Sequence, residues 1–187
     1  ERYVPATSRS FRYLSSSVNT PGTINDNWQQ GSLNPGDPNY EAGYATHITG
    51  SKTGANGFDA TSTGNPSLFQ WNEGTQSWDT KTSTNDLTTD KLLAGDAYAM
   101  LIRGDRSASL NSNTDFGPAT TLRATGSIVT GDINVGELGQ NKDDFSLVGN
   151  PYQAQVDLQK LLKQNNTDLS SQFAYIYDPN ITSNGGY

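Results

Sequence analysis

Seven short apolar or alternating runs constrain this chain more than any other feature. They are "FRYLSSSV" (11–18), "YATHITG" (44–50), "SLFQWNEGTQSW" (67–78), "AYAMLIRG" (97–104), "TTLRATGSIVTG" (120–131), "FSLVG" (145–149) and "FAYIYD" (173–178). Clusters of Gly, Asn, Pro, Asp and Ser divide them, and strand-length runs with such punctuation argue for an all-β sandwich or barrel. "AYAMLIR" is apolar on both faces, as a central strand covered on each side must be. "FAYIY" alternates Phe173, Tyr175 and Tyr177 with Ala174 and Ile176, the period of a strand. Within "FQWNEGTQSW" the cluster Asn72-Glu73-Gly74 predicts a hairpin, with Gly74 taking the positive φ and Trp71 and Trp78 on the two arms.

"FSLVGNPYQAQVDLQKLL" (145–162) holds the one convincing helical pattern. Phe145 to Val148 reads as a core strand and Gly149-Asn150-Pro151 as a corner, Asn150 being biased to extended backbone by the proline after it. Asp157 can cap a short helix over about 157–165, with Val156 and Leu161 as a hydrophobic staple. Leu158, Leu161 and Leu162 form one stripe to lay against a sheet, and Asn165-Asn166 stop the helix. The polar stretches 19–43 and 50–64 read as surface loops. The expectation is a single all-β domain over 1–187, a β-sandwich of jelly-roll-like character with one short α-helix.

Composition narrows function. Apolar content is 32%, but three Trp, nine Tyr and six Phe give material for a thin aromatic-rich core, which weighs against disorder. The net charge is −7 and no Lys/Arg cluster occurs, so nucleic acid is not an expected partner. No apolar run reaches membrane-spanning length. The absence of cysteine excludes disulfides, thiolate catalysis and cysteine-bound zinc together. A start at Glu1 with neither Met nor a signal peptide suggests a mature product or a piece of a larger protein.

Candidate chemistry is sparse. His47 is the sole histidine, but no Gly-x-Ser-x-Gly elbow accompanies it, and a strand histidine bonded to a neighbour is the ordinary outcome. Asp37 and Glu41 are the nearest approach to a glycosidase carboxylate pair, in a loop that normally carries solvated acids. Asn111, Asn113 and Asp115 before Gly117, and Asp132, Asn134 and Glu137, echo the alternating oxygen ligands of calcium loops; Asx-turns explain them equally well, so structural calcium is only a possibility and no cofactor is expected. Arg103-Gly104-Asp105 is an RGD tripeptide at the end of a buried strand, where a charged turn is the simpler account. Trp71, Trp78, Trp28 and Tyr40 are the aromatics that can stack on sugar rings; for the hairpin pair, a cross-strand cover over the core is the commoner use.

Taken in order, "RYVPATSRSFRYLSSSV", "THITG", "GFDATSTGNPSLFQWNEGTQSW", "AYAMLIRGDR", "TTLRATGSIVTG", "FSLVGNPYQAQVDL" and "YIYDP" resemble a module of large extracellular proteins of the Bacteroidota, commonly found ahead of a type IX secretion sorting domain. The most specific part is Gly149 to Tyr152 followed by Val156-Asp157, with "YIYDP". The resemblance spans essentially the whole chain and implies export and cell-surface display, with neighbouring domains or protomers as partners. It assigns no catalytic or binding residues. Relatives continue past a strand like "YIYDP" into a Gly-rich turn and a last strand, so the resemblance implies either a trimmed chain or one whose open sheet edge a neighbouring protein's strand fills. The expected function is a non-catalytic structural or adhesive module; the alternative is a carbohydrate-binding module attached to a polysaccharide-degrading enzyme.

Overall fold

The computed structural model describes residues 1–112, 114–136, 138–164, 173–181 and 186. Its strands, in chain order, are β1 (Arg2–Val4), β2 (Thr7–Ser8), β3 (Ser10–Ser15), β4 (Val18–Asn19), β5 (Thr49–Ser51), β6 (Asp59–Ala60), β7 (Leu68–Asn72), β8 (Ser77–Thr80), β9 (Ala97–Ile102), β10 (Phe116–Gly117), β11 (Thr120–Leu122) and β12 (Ser127–Ile128). Two short helices accompany them, α1 (Ile24–Trp28) and α2 (Leu158–Lys163). The chain is all-β.

The centre is a four-stranded antiparallel sheet in the order β3-β9-β7-β8. Strand β9 is central, as its two-faced apolarity requires. Its Tyr98, Met100 and Ile102 are buried and share a face with Leu14 and Leu68. That inner face closes the core with Ile24, Trp28, Ile48, Phe58, Leu92, Val4 and Leu122. The Trp28 ring meets Tyr98 edge-on, with centroids 5.5 Å apart.

The first strands run as one ribbon against the later ones. Arg2 faces Leu122, Val4 faces Thr120, Thr7 faces Gly117 and Ser8 faces Phe116, all in one continuous register. The register then jumps, because Ser10 faces Ile102. Residues 103–115 are therefore an excursion from the ribbon. Its ends meet tightly: a Cβ on Gly117 would lie 1.5 Å from the Arg103 carbonyl oxygen, and Gly104 has φ +119 with Pro118 against it. Only glycine fits there. Two further pairs complete the set, antiparallel β4–β12 and parallel β5–β6.

Several sequence expectations need correction. The stretch 19–43 is not all loop: α1 lies in it, with Thr23 and Asp26 forming a capping box and Ile24, Asn27 and Trp28 buried. The stretch 50–64 likewise contributes β6 and the buried Phe58 and Asp59. Phe145 to Val148 is not a strand, and Phe145 and Val148 are exposed. Residues 173–177 form no ladder strand either; Asp178 bridges Gly186. In α2 the Asp157 cap is present, accepting from the Lys160 amide at 3.0 Å, but no residue of the helix is buried and Val156 and Leu161 are exposed. The expected stop at Asn165-Asn166 lies outside the described residues. In the hairpin turn the positive φ falls on Gln76 (+52), not Gly74.

Candidate functional site

The pairing Tyr13–Ala99–Phe69–Thr80 puts Phe11, Tyr13, Phe69, Trp71 and Trp78 on the outer face of the four-stranded sheet. Trp71 and Trp78 are directly opposite across the hairpin and meet edge-to-face at 5.3 Å and 73°. Trp78 also touches Tyr13 at 5.3 Å, and Phe11 meets Phe69 edge-on at 5.9 Å. All five are half-buried. The chain covers this face itself: the Tyr177 ring stacks on Tyr13 at 4.7 Å and 11°. The cross-strand aromatic pair expected of the two tryptophans is thus present, and it is neither coplanar nor freely displayed.

The segment around Phe145 is fastened to the hairpin by side chains in place of a ladder. The Gln76 amide acts as a strand partner would, its Oε1 accepting from the Phe145 N–H at 2.6 Å and its Nε2 donating to the Phe145 carbonyl at 3.0 Å. The Trp71 indole donates to that same carbonyl at 3.1 Å, and Glu73 Oε1 accepts from the Leu147 N–H at 3.1 Å. A left-handed Gln76 is what turns its amide towards residue 145. Beyond this clamp the surface is apolar: Phe145 is 56% exposed and meets Tyr175 (66% exposed) edge-on at 5.5 Å. Val148, Phe173, Ile176 and Ile181 are exposed as well.

A second constellation lies inside. His47 is 4% exposed, with Nδ1 2.9 Å from Asp59 Oδ2 and Nε2 3.0 Å from the Ala108 carbonyl. Arg106 grips the same carboxylate with both terminal nitrogens at 3.0 Å and also donates to the Thr46 carbonyl. Burial lowers the Arg106 guanidinium below its ordinary value, and Asp59 opposes the shift. The cluster ties β6 and residues 46–47 to the 103–115 excursion. A backbone carbonyl occupies the ring nitrogen that would face a serine nucleophile; the bonded neighbour expected of His47 is present, although residues 45–48 form no ladder strand and β5 begins only at Thr49.

Comparison with known proteins finds no family model that matches the chain, no curated protein that matches it and no solved structure that matches it.

The other sequence candidates separate. Trp28 is 4% exposed in the core and offers no face to a sugar. Tyr40 is half-buried in a turn, its N–H donating to the Asp37 carbonyl. Asp37 accepts from the Asn39 N–H, while Glu41 pairs with Arg123, whose guanidinium lies 3.3 Å over the Tyr44 ring; the two acids do not form a working pair. The RGD aspartate is buried: Asp105 accepts from the Gly43 N–H at 2.7 Å and from Ser107, so the tripeptide is a structural turn. Of the calcium candidates, Asn113 and Glu137 lie outside the described residues, and Asn111, Asp115, Asp132 and Asn134 are exposed. An open hollow of about 140 Å³ brings Glu73 and Asp96 into one lining, burial raising the Asp96 carboxyl. Among the described residues no group of three or more His, Asp or Glu is placed to hold a metal. No helix among them is long and apolar enough to cross a membrane.

Sequence reasoning missed Asp59, Arg106, Tyr13 and Gln76. The first two come together across 47 positions, with no local signal. Tyr13 was legible as an alternating strand residue but not as the partner of Tyr177.

Proposed function

We propose that the chain is a non-catalytic structural or adhesive module of a bacterial surface or secreted protein, acting through contacts with neighbouring domains or protomers. One observation carries this reading. Phe145, Val148, Phe173, Tyr175, Ile176 and Ile181 are all exposed, and through Phe145 and Tyr177 their segments adjoin the aromatic outer face of the sheet. Apolar surface gathered on one part of a molecule marks an interaction site more often than a solvated one. The resemblance to extracellular modules of the Bacteroidota, with export by a type IX route and display at the cell surface, belongs to the same reading.

Carbohydrate binding draws less support. Sugar platforms need exposed, mutually coplanar rings, whereas Trp71 and Trp78 are half-buried and perpendicular and Trp28 is in the core. The test is sedimentation velocity over a concentration series, set beside a glycan array. The reading expects concentration-dependent association that Tyr175→Ser with Ile176→Ser abolishes without lowering thermal stability. A strictly monomeric chain that binds glycans through Trp71 or Trp78 would overturn it in favour of the sugar-binding module.

A further inference from the structure

We propose that His47 carries a proton on both ring nitrogens in the folded chain, and that the second proton latches the 103–115 excursion to the core. Both groups facing the ring are acceptors: Asp59 Oδ2 at 2.9 Å from Nδ1, and the Ala108 carbonyl at 3.0 Å from Nε2. Asp59 cannot supply a proton to the ring, because each of its oxygens already accepts from Arg106 at 3.0 Å. A neutral imidazole has one N–H and one lone pair. Either neutral tautomer therefore sets a lone pair against an acceptor at about hydrogen-bond distance, in a site where the ring is 4% exposed and water cannot intervene. The imidazolium satisfies both contacts.

The charged groups around the ring are few. Asp59 comes from β6, and Arg106 and Asp105 come from the excursion. Arg106 is a like charge and opposes the second proton, but its guanidinium is spent on Asp59 and the Thr46 carbonyl. The Asp105 carboxylate is turned away, onto Gly43 and Ser107. Loss of the second ring proton removes the bond to Ala108 and replaces it with repulsion between two lone pairs. The excursion then loses one of its ties and keeps the Arg106 bonds to Asp59 and the Thr46 carbonyl, the Thr46 hydroxyl on the Gly104 carbonyl and the Asp105–Gly43 contact. His47 is in this sense a proton-sensitive catch on the segment that carries the buried RGD turn.

The sole histidine makes the test unambiguous, since one set of ring signals is present. Long-range proton–nitrogen correlation spectra of the uniformly labelled chain are recorded across pH, with amide exchange at Ser107 and Ala108, whose N–H groups donate to Asp105, followed in parallel. The proposal expects both ring nitrogens protonated wherever those amides are fully protected. Exchange should accelerate about tenfold or more where the spectra show the second proton leaving, and His47→Gln should lack that step. A neutral tautomer alongside full protection overturns the proposal, and so does the same step in His47→Gln. The spectra use the native chain, so failure of the variant to fold leaves the first arm decisive.

Discussion

Asp59→Ala isolates the energetics of the buried cluster. The carboxylate is 6% exposed and, among the described residues, is the only anion hydrogen-bonded to Arg106 and to His47, with two contacts at 3.0 Å and one at 2.9 Å. Removing one partner of a buried pair costs about 3–5 kcal/mol, mostly because the remaining charge is stranded. For a chain of this length each kcal/mol lowers Tm by about 2–4 °C, so the expected drop is about 6–20 °C. Urea unfolding reports it through tryptophan fluorescence, because Trp28 leaves the Tyr98 edge on unfolding. If stranded charge is the cause, Asp59→Ala with Arg106→Met should regain about 2 kcal/mol of the loss, since apolar replacement of a buried pair is often neutral. A single-variant cost under about 1 kcal/mol, or a double variant no better than the single, would refute the reasoning.

Three further outcomes follow from other parts of the fold. Gly117→Ala should cost about 1–3 kcal/mol or more in urea unfolding, because its Cβ would lie 1.5 Å from the Arg103 carbonyl oxygen; an unchanged midpoint would mean that the excursion's ends are not so close. Gln76→Ala should speed amide exchange at Phe145 and leave the exchange of β9 unchanged, because the Phe145 N–H donates to its side chain; equal effects on both would point to global destabilisation. Burial pushes the Asp90 carboxyl up, but hydrogen bonds from Ser83, the Asp86 N–H and Lys81 outweigh it and hold the group below its ordinary value. The folded state thus favours the ionised form, and its contribution is present above about pH 4, the unfolded value, and lost as pH falls through the folded value. Asp90→Asn should therefore flatten the acid side of the stability profile, and an unaltered acid slope would assign that slope to other carboxyls.

Local pattern told most about the strands whose partners are near or whose faces are both buried. The β7–β8 hairpin and the central β9 follow directly from "FQWNEGTQSW" and "AYAMLIR". The cap at Asp157 was equally legible, because it depends on residues within one turn. Helix α1 escaped notice because a five-residue helix shows barely one turn of periodicity, and its capping box uses Asp26 where Glu or Gln is the usual mark. "FSLV" was misread because an exposed docked segment and a buried strand share one composition; what decides between them is the distant Gln76 amide. The register jump at the 103–115 excursion has no local expression, since it depends on which residues the first strands meet about a hundred positions on.

That ribbon sets an order of events. Strands β1, β2 and β3 are made first, yet their partners are β11, β10 and β9, so Ser10 must wait for Ile102 and Arg2 for Leu122. Loop-closure entropy on this scale has to be met before any of these pairs contributes, which makes folding slow relative to local hairpins. Among the ladders named above, a nascent chain would hold only the β5–β6 and β7–β8 pairs until β9 emerges. Strands β1 to β3 therefore stay available to chaperones until β9 to β11 have emerged, and their ladders close late and nearly together.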